Sequence, residues 1–268
     1  MKGPMPPSLH PRNRDFAWRP SRPPYARITP EQAAQYDEQG FFLFENAFSE
    51  KEVDAVTAAI APFEAAGEER LRLAGGQVSI AKADAITFTI HLVAKSAVLK
   101  AFSRHPVFAG VCRDTLGPGA RLYWDQAVYK KPGNPEEFPW HQDNGYTFIE
   151  PQQYLTCWVA LNDATLENGC PWVVPGLHRL GTLAHRITPL GFQCDVDRGQ
   201  AVAAPAHKGD IVVFSSLTPH RTGPNLTGET RRAYILQYAP DGVLAWPRGA
   251  QAGAPQTDPA RQYPVEDA

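Results

Sequence analysis

Up to residue 116 the apolar residues of the chain recur mostly at helical spacing, and beyond it they gather into short runs and alternations broken by turn residues. Thr29 can cap a first helix, with Pro30 at its first position, Gln32 reaching back from the third, and Gly40 ending it left-handed. Phe41, Phe42, Leu43 and Phe44 then read as a buried strand. Ser49 and Glu52 form a second capping box, opening a helix with an apolar stripe of Val53, Val56, Ile60 and Phe63. The pattern predicts a third helix over residues 96–115. After Gly117-Pro118-Gly119 it predicts strands over 121–130, 154–161, 171–174, 210–214, 218–221 and 232–238, with turn signals between them such as Pro132-Gly133-Asn134 and Pro175-Gly176. A helical prelude followed by many short strands points to a mainly β fold with flanking helices, a double-stranded β-helix or cupin-like jelly roll. Its two sheets would enclose a pocket where ligands from distant strands meet.

The ends carry no periodicity. Residues 1–28, rich in Pro, Arg and Ser, read as an irregular arm that Phe16, Trp18 and Tyr25 can pin to the body. Residues 248–268 read as an irregular tail, which leaves 29–247 as a single jelly-roll domain with a helical N-terminal part. A chain of 268 residues that is 43% hydrophobic can bury a core of that size. A net charge of −2 gives no reason to expect a nucleic-acid partner. There is neither an apolar run of bilayer-spanning length nor a basic-then-apolar leader, so no membrane partner is expected. Cys112, Cys157, Cys170 and Cys194 lack metal-knuckle spacing and do not read as a disulfide framework. The expectation is a soluble cytoplasmic protein.

The candidate chemistry sits in Trp140-His141-Gln142-Asp143. On a strand, His141 and Asp143 point to one face and Gln142 to the other. An imidazole and a carboxylate on one face are two metal ligands. His220, late in the chain, is the candidate third. Two His and one carboxylate leave open positions on a metal and suit non-haem Fe(II). The bland alternative is a surface His beside a turn Asp.

The ordered set of residues 40–46, 131–133, 140–143, 168–178 and 220–222, followed by Arg231, resembles the phytanoyl-CoA dioxygenase family of Fe(II)/2-oxoglutarate oxygenases. The resemblance implies that His141, Asp143 and His220 bind iron, and that Arg231 takes the far carboxylate of the cosubstrate 2-oxoglutarate with Thr222 beside it. An Arg fork matches a carboxylate, and Thr222 shares the face of His220 if both lie on one strand. Trp158 matches a family tryptophan near the cosubstrate. Gln126 and Lys130 fall on one strand face near a position where the family often has an amide that contacts cosubstrate or substrate; here that position is Lys130. Asn144, Tyr146 and Trp140 are the candidate substrate contacts.

The activity so implied is hydroxylation of an unactivated carbon in a small-molecule metabolite, using O2 and releasing succinate and CO2. Asp143 fills the position that related halogenases leave to chloride. The competing reading is a non-catalytic or differently metallated cupin-type barrel, which would have no use for Thr222 and Arg231.

Overall fold

The computed structural model describes residues 7–266. Residues 1–6 of the expected arm and 267–268 of the expected tail lie outside the described residues. Local chemistry sets the first elements. Helix α1 (Pro30–Gln39) carries both halves of the capping box between Thr29 and Gln32, and Gly40 ends it at φ 84°. Helix α2 (Glu50–Leu73) starts from the Ser49–Glu52 box and buries Val53, Val56 and Ile60. The single helix expected over 96–115 is two, α3 (Ala97–Phe102) and α4 (Pro106–Leu116). Pro106 lacks an N–H and disfavours helical backbone at His105, so the chain breaks there and restarts. His105 then caps the new helix, its Nδ1 accepting from Val107 N at 3.2 Å.

The strands follow in chain order: β1 (Phe41–Phe44), β2 (Gln77–Val78), β3 (Ala81–Lys82), β4 (Ile86–Ile90), β5 (Ala120–Lys130), β6 (Phe138–His141), β7 (Phe148–Glu150), β8 (Leu155–Ala160) and β9 (Pro171–Val173). They continue with β10 (His185–Thr188), β11 (Gly191–Cys194), β12 (Val202–Ala203), β13 (Ile211–Ser215), β14 (His220–Thr222), β15 (Arg231–Pro240), β16 (Leu244–Trp246) and β17 (Ala254–Pro255). The large sheet runs β1-β13-β8-β15-β5-β4-β3-β2, and the small one β12-β9-β14-β6. Non-sequential neighbours in both sheets are the signature of the jelly roll.

Alternation along the central strands separates two packing layers. Leu155, Cys157, Val159, Ile211, Val213, Leu236 and Tyr238 face the helices and share one core with Val53, Ile60, Leu99 and Phe108. Trp158, Ala160, Val212, Phe214 and Ala233 point the other way, toward Cys170 and Val173 on the small-sheet side. The helices thus cover one face of the large sheet and leave the other to close on the small sheet.

The ends are tied to this body. Asp114 accepts from the backbone N–H groups of Ala26, Arg27 and Ile28 at 2.7–2.9 Å, and Asp37 accepts from Trp18 Nε1, Ser21 N and Ser21 Oγ. At the other end Tyr263 and Val265 are buried in the helix-side core. Among the described residues, no helix is long and apolar enough to cross a membrane.

Candidate active site

The two imidazoles come from directly opposite positions of an antiparallel pair, His141 on β6 and His220 on β14, with ring centroids 4.1 Å apart. Strand β6 stops at His141, and Asp143 opens a short 3-10 turn. The carboxylate therefore reaches the imidazoles from a turn, where strand alternation predicts it from the strand itself. Its Oδ1 lies 3.9 Å from His141 Nε2 and 3.8 Å from His220 Nε2. The three ligand atoms all fall within 4.8 Å of one another.

The tautomers suit a metal. His141 Nδ1 donates to Pro139 O at 2.8 Å and His220 Nδ1 to Thr218 O at 3.0 Å. With Nδ1 carrying the proton, each Nε2 turns a lone pair toward Asp143. Burial, with His220 nearby, holds His141 down to about 3, and burial holds His220 down to about 4, so both stay neutral at physiological pH. Burial pushes the Asp143 carboxyl upward. Thr156 Oγ1 opposes that push by donating to Asp143 Oδ2 at 2.6 Å, and Gln237 Nε2 reaches Thr156 Oγ1 at 3.5 Å. A divalent cation would complete this set: two neutral imidazoles and one oriented carboxylate, with room left for other ligands.

Thr156 and Gln237 sit opposite each other on β8 and β15. Nothing in the sequence hints at their role, because neither lies near the His141 segment. His185 is a second such residue. Its Nε2 accepts from Gln142 N at 2.9 Å, bracing the segment between two of the candidate ligands. By sequence pattern alone it is an ordinary surface or core histidine.

His141, Asp143, His220, Thr156 and Gln237 line a cavity of about 470 Å³ between the sheets, and Arg231, Thr222, Trp158, Gln126 and Tyr146 line it too. Arg231 begins β15 in the large sheet, so it faces His220 and Thr222 from the opposite wall, where the sequence suggests a neighbouring strand. Its guanidinium is fully buried, its CZ stands 5.2 Å from the Trp158 ring, and Nη1 makes one long bond to Val128 O at 3.4 Å. Among the described residues, Nε and Nη2 have no hydrogen-bond partner. Buried donors are normally satisfied, so two bare donor nitrogens on a buried cation mark the seat of an anion.

Three expected contacts are not on the cavity wall. Lys130 shares the Gln126 face but lies further along β5, where its ammonium donates to the carbonyls of Glu136, at 3.1 Å, and of Gly223. It ties β5 to the end of β14, and burial beside Arg231 lowers it to about 7. Asn144 is fully buried, donating to Thr182 Oγ1 at 2.6 Å and accepting from Ile149 N at 2.8 Å; it staples the turn after Asp143. Trp140 points to the other face of β6, into a core with Val174, Leu183 and Cys194. Adjacency in sequence to a ligand places a side chain on the opposite face of the strand, away from the pocket.

The family model for phytanoyl-CoA dioxygenase (PhyH) matches residues 36–233. The methylphosphonate hydroxylase of Gimesia maris is 36% identical over 129 residues, 46% of this chain and 46% of the relative. The chain spans about half the length of the first curated relatives it matches, 44%, 55% and 46%. Among solved structures, the crystal structure of the non-heme alpha-ketoglutarate-dependent carbocyclase SnoK from nogalamycin biosynthesis superposes with a TM-score of 0.72 at 23% identity, covering 89% of this chain and 97% of that one. EctD from S. alaskensis, with 2-oxoglutarate and 5-hydroxyectoine, gives 0.70 at 25% identity, covering 94% of this chain and 92% of that one. The fold is that of these oxygenases.

Proposed function

The chain belongs to the phytanoyl-CoA dioxygenase family, and on that premise we propose that it is an Fe(II)- and 2-oxoglutarate-dependent dioxygenase that hydroxylates an unactivated carbon of a small molecule. One observation carries the reading: a fully buried guanidinium with two bare donor nitrogens shares a cavity with a His-Asp-His cluster whose imidazoles are neutral and correctly protonated.

In this reading His141, Asp143 and His220 hold the iron. Bound there, iron(II) with 2-oxoglutarate supplies oxidation of a C–H bond by O2, coupled to conversion of the cosubstrate to succinate and CO2. Arg231 pairs with the far carboxylate of 2-oxoglutarate, and the Thr222 hydroxyl and the Trp158 ring frame it. Thr156 aims Asp143 and favours its ionised form against the push of burial. The cavity, set between two sheets and lined largely by apolar side chains, limits water around the reacting groups. The four buried cysteines are unpaired, which suits a reducing cytoplasm, the compartment we assign.

Succinate formation from 2-oxoglutarate by the purified protein, with and without Fe(II), tests this. Metal-dependent succinate that disappears in Asp143→Ala and His220→Ala is expected. No succinate from protein that demonstrably binds iron would favour the non-catalytic barrel.

A further inference from the structure

The dioxygenase assignment leaves the substrate open, and the substrate class drawn from the cavity wall rests on that assignment. Every charged or metal-ligating side chain on the wall already serves another ligand: His141, Asp143 and His220 the metal, Arg231 the cosubstrate. No lysine, second arginine or glutamate lines the wall among the described residues. An ionic substrate would therefore shed its hydration without meeting a counter-charge, a penalty that selects against it.

The rest of the wall is mostly apolar and partly aromatic, with uncharged polar groups on Gln126, Gln237, Thr147 and the tyrosines Tyr123, Tyr146 and Tyr154. Strands β2 to β4 bring Val78, Ile86, Phe88 and Ile90 to one side. Phe88 and Phe138 tilt together at 5.7 Å, and Phe138 and Tyr146 meet the His141 ring edge-on at 4.9 and 5.3 Å. These rings offer faces and edges right beside a metal ligand, the arrangement that holds another ring. Val78 and Ile90, 51% and 39% exposed, carry the apolar surface outward to solvent.

One polar group on this wall has a fixed direction. Trp124 Nε1 can only donate, and it donates to Gln126 Oε1 at 3.3 Å. The amide is thereby oriented with its NH2 turned away from Trp124, and that NH2 finds no acceptor among the described residues. Trp124 is itself propped by the His91 ring at 4.3 Å, and His91 by Arg261 at 3.0 Å, so the C-terminal segment helps set the amide.

We propose that the substrate is a neutral, ring-bearing, largely apolar small molecule with an oxygen acceptor that meets the Gln126 NH2, and that a coenzyme A ester, a phosphonate or another anion is not accepted.

Binding tests this without turnover. Under argon, the Fe(II)-loaded protein is titrated calorimetrically with three probes of one shape, 1-tetralone, tetralin and 1,2,3,4-tetrahydro-1-naphthoate, and with butanoyl-coenzyme A. Each titration is run with and without saturating 2-oxoglutarate, so that an anion caught by Arg231 is displaced and not counted. With 2-oxoglutarate bound, tetralone should bind at least about 10-fold more tightly than the naphthoate, the factor expected from one uncompensated buried charge or more. Gln126→Leu should weaken tetralone about 5-fold, the worth of one buried hydrogen bond, and leave tetralin unchanged, which also shows the variant is folded. Naphthoate or the coenzyme A ester binding as tightly as tetralone would overturn the proposal, as would a Gln126→Leu variant that keeps full tetralone affinity. Failure of 2-oxoglutarate to bind at all would strike the proposed function instead, and the tetralone–tetralin comparison would still read the Gln126 contact.

Discussion

Arg231→Met should make the ligand-free protein more stable, an unusual direction for a change at a fully buried residue. Burial pulls the guanidinium down from the ordinary arginine value to about 10. At 1.36 kcal/mol per unit this is a penalty of about 3 kcal/mol for keeping the charge inside. Since the folded value lies below the unfolded one, the penalty is fully present at neutral pH, below both. The Trp158 ring returns about 1–2 kcal/mol of it, and the single 3.4 Å bond to Val128 O returns little. The net cost is about 1–2 kcal/mol, which a methionine of similar reach removes without leaving a partner charge behind. For a domain of this size that is a rise in Tm of about 2–8 °C. With 2-oxoglutarate at a hundred times its Kd the order should reverse, because the wild type gains about 2.7 kcal/mol and the variant, without its carboxylate partner, gains almost none. Differential scanning calorimetry under argon, with Mn(II) in place of iron, reads all four states. A ligand-free Arg231→Met protein that melts below the wild type would refute the unpaired-charge reasoning, and one that keeps the full 2-oxoglutarate shift would refute the assigned partner.

Other perturbations probe the supports of the site. Thr156→Val removes the 2.6 Å donor to Asp143 and should weaken metal binding about 10- to 100-fold while leaving the far-ultraviolet spectrum intact, as a metal titration would show. His185→Leu strands the buried Gln142 N–H and should cost about 1–3 kcal/mol in urea unfolding; a neutral result would mean the 141–143 segment needs no brace. Gly40→Ala puts a Cβ 2.4 Å from Thr218 Oγ1 at φ 84°, and should destabilise the protein by about 2 kcal/mol or more, read as a lowered urea midpoint. Burial holds His178 and His185 down to about 4, so the unfolded chain takes up their protons first as pH falls from about 6.5. Stability should thus drop between pH 6.5 and 4 and gain nothing further from these groups above that window, which urea midpoints at several pH values will check.

What is legible in the sequence is whatever depends on near neighbours. The Thr29–Gln32 and Ser49–Glu52 boxes declare the starts of α1 and α2 because capping is chemistry within four residues. The alternation of β8 separates Trp158 from the face of Cys157, and the packing layers agree. Long-range placement is harder. A helix running unbroken over 96–115 ignores the stop that Pro106 imposes, and β4 goes unpredicted although Ile86-Thr87-Phe88-Thr89-Ile90 alternates regularly. Nearness to His141 draws Asn144 and Trp140 toward the substrate, although strand geometry sends such neighbours outward or into the turn. Thr156, Gln237 and His185 carry no sequence signal, because their partners at the site lie on other elements. The empty donors of Arg231 likewise exist only once the large sheet places that side chain inside the barrel.

Anaerobic titration of the Fe(II)-loaded protein with 2-oxoglutarate, followed by visible absorption, tests the joint metal and cosubstrate site most directly. We expect a weak metal-to-ligand charge-transfer band that saturates with cosubstrate and is lost in both Arg231→Met and His220→Ala. Folded, iron-bound protein that develops no band would contradict the oxygenase assignment.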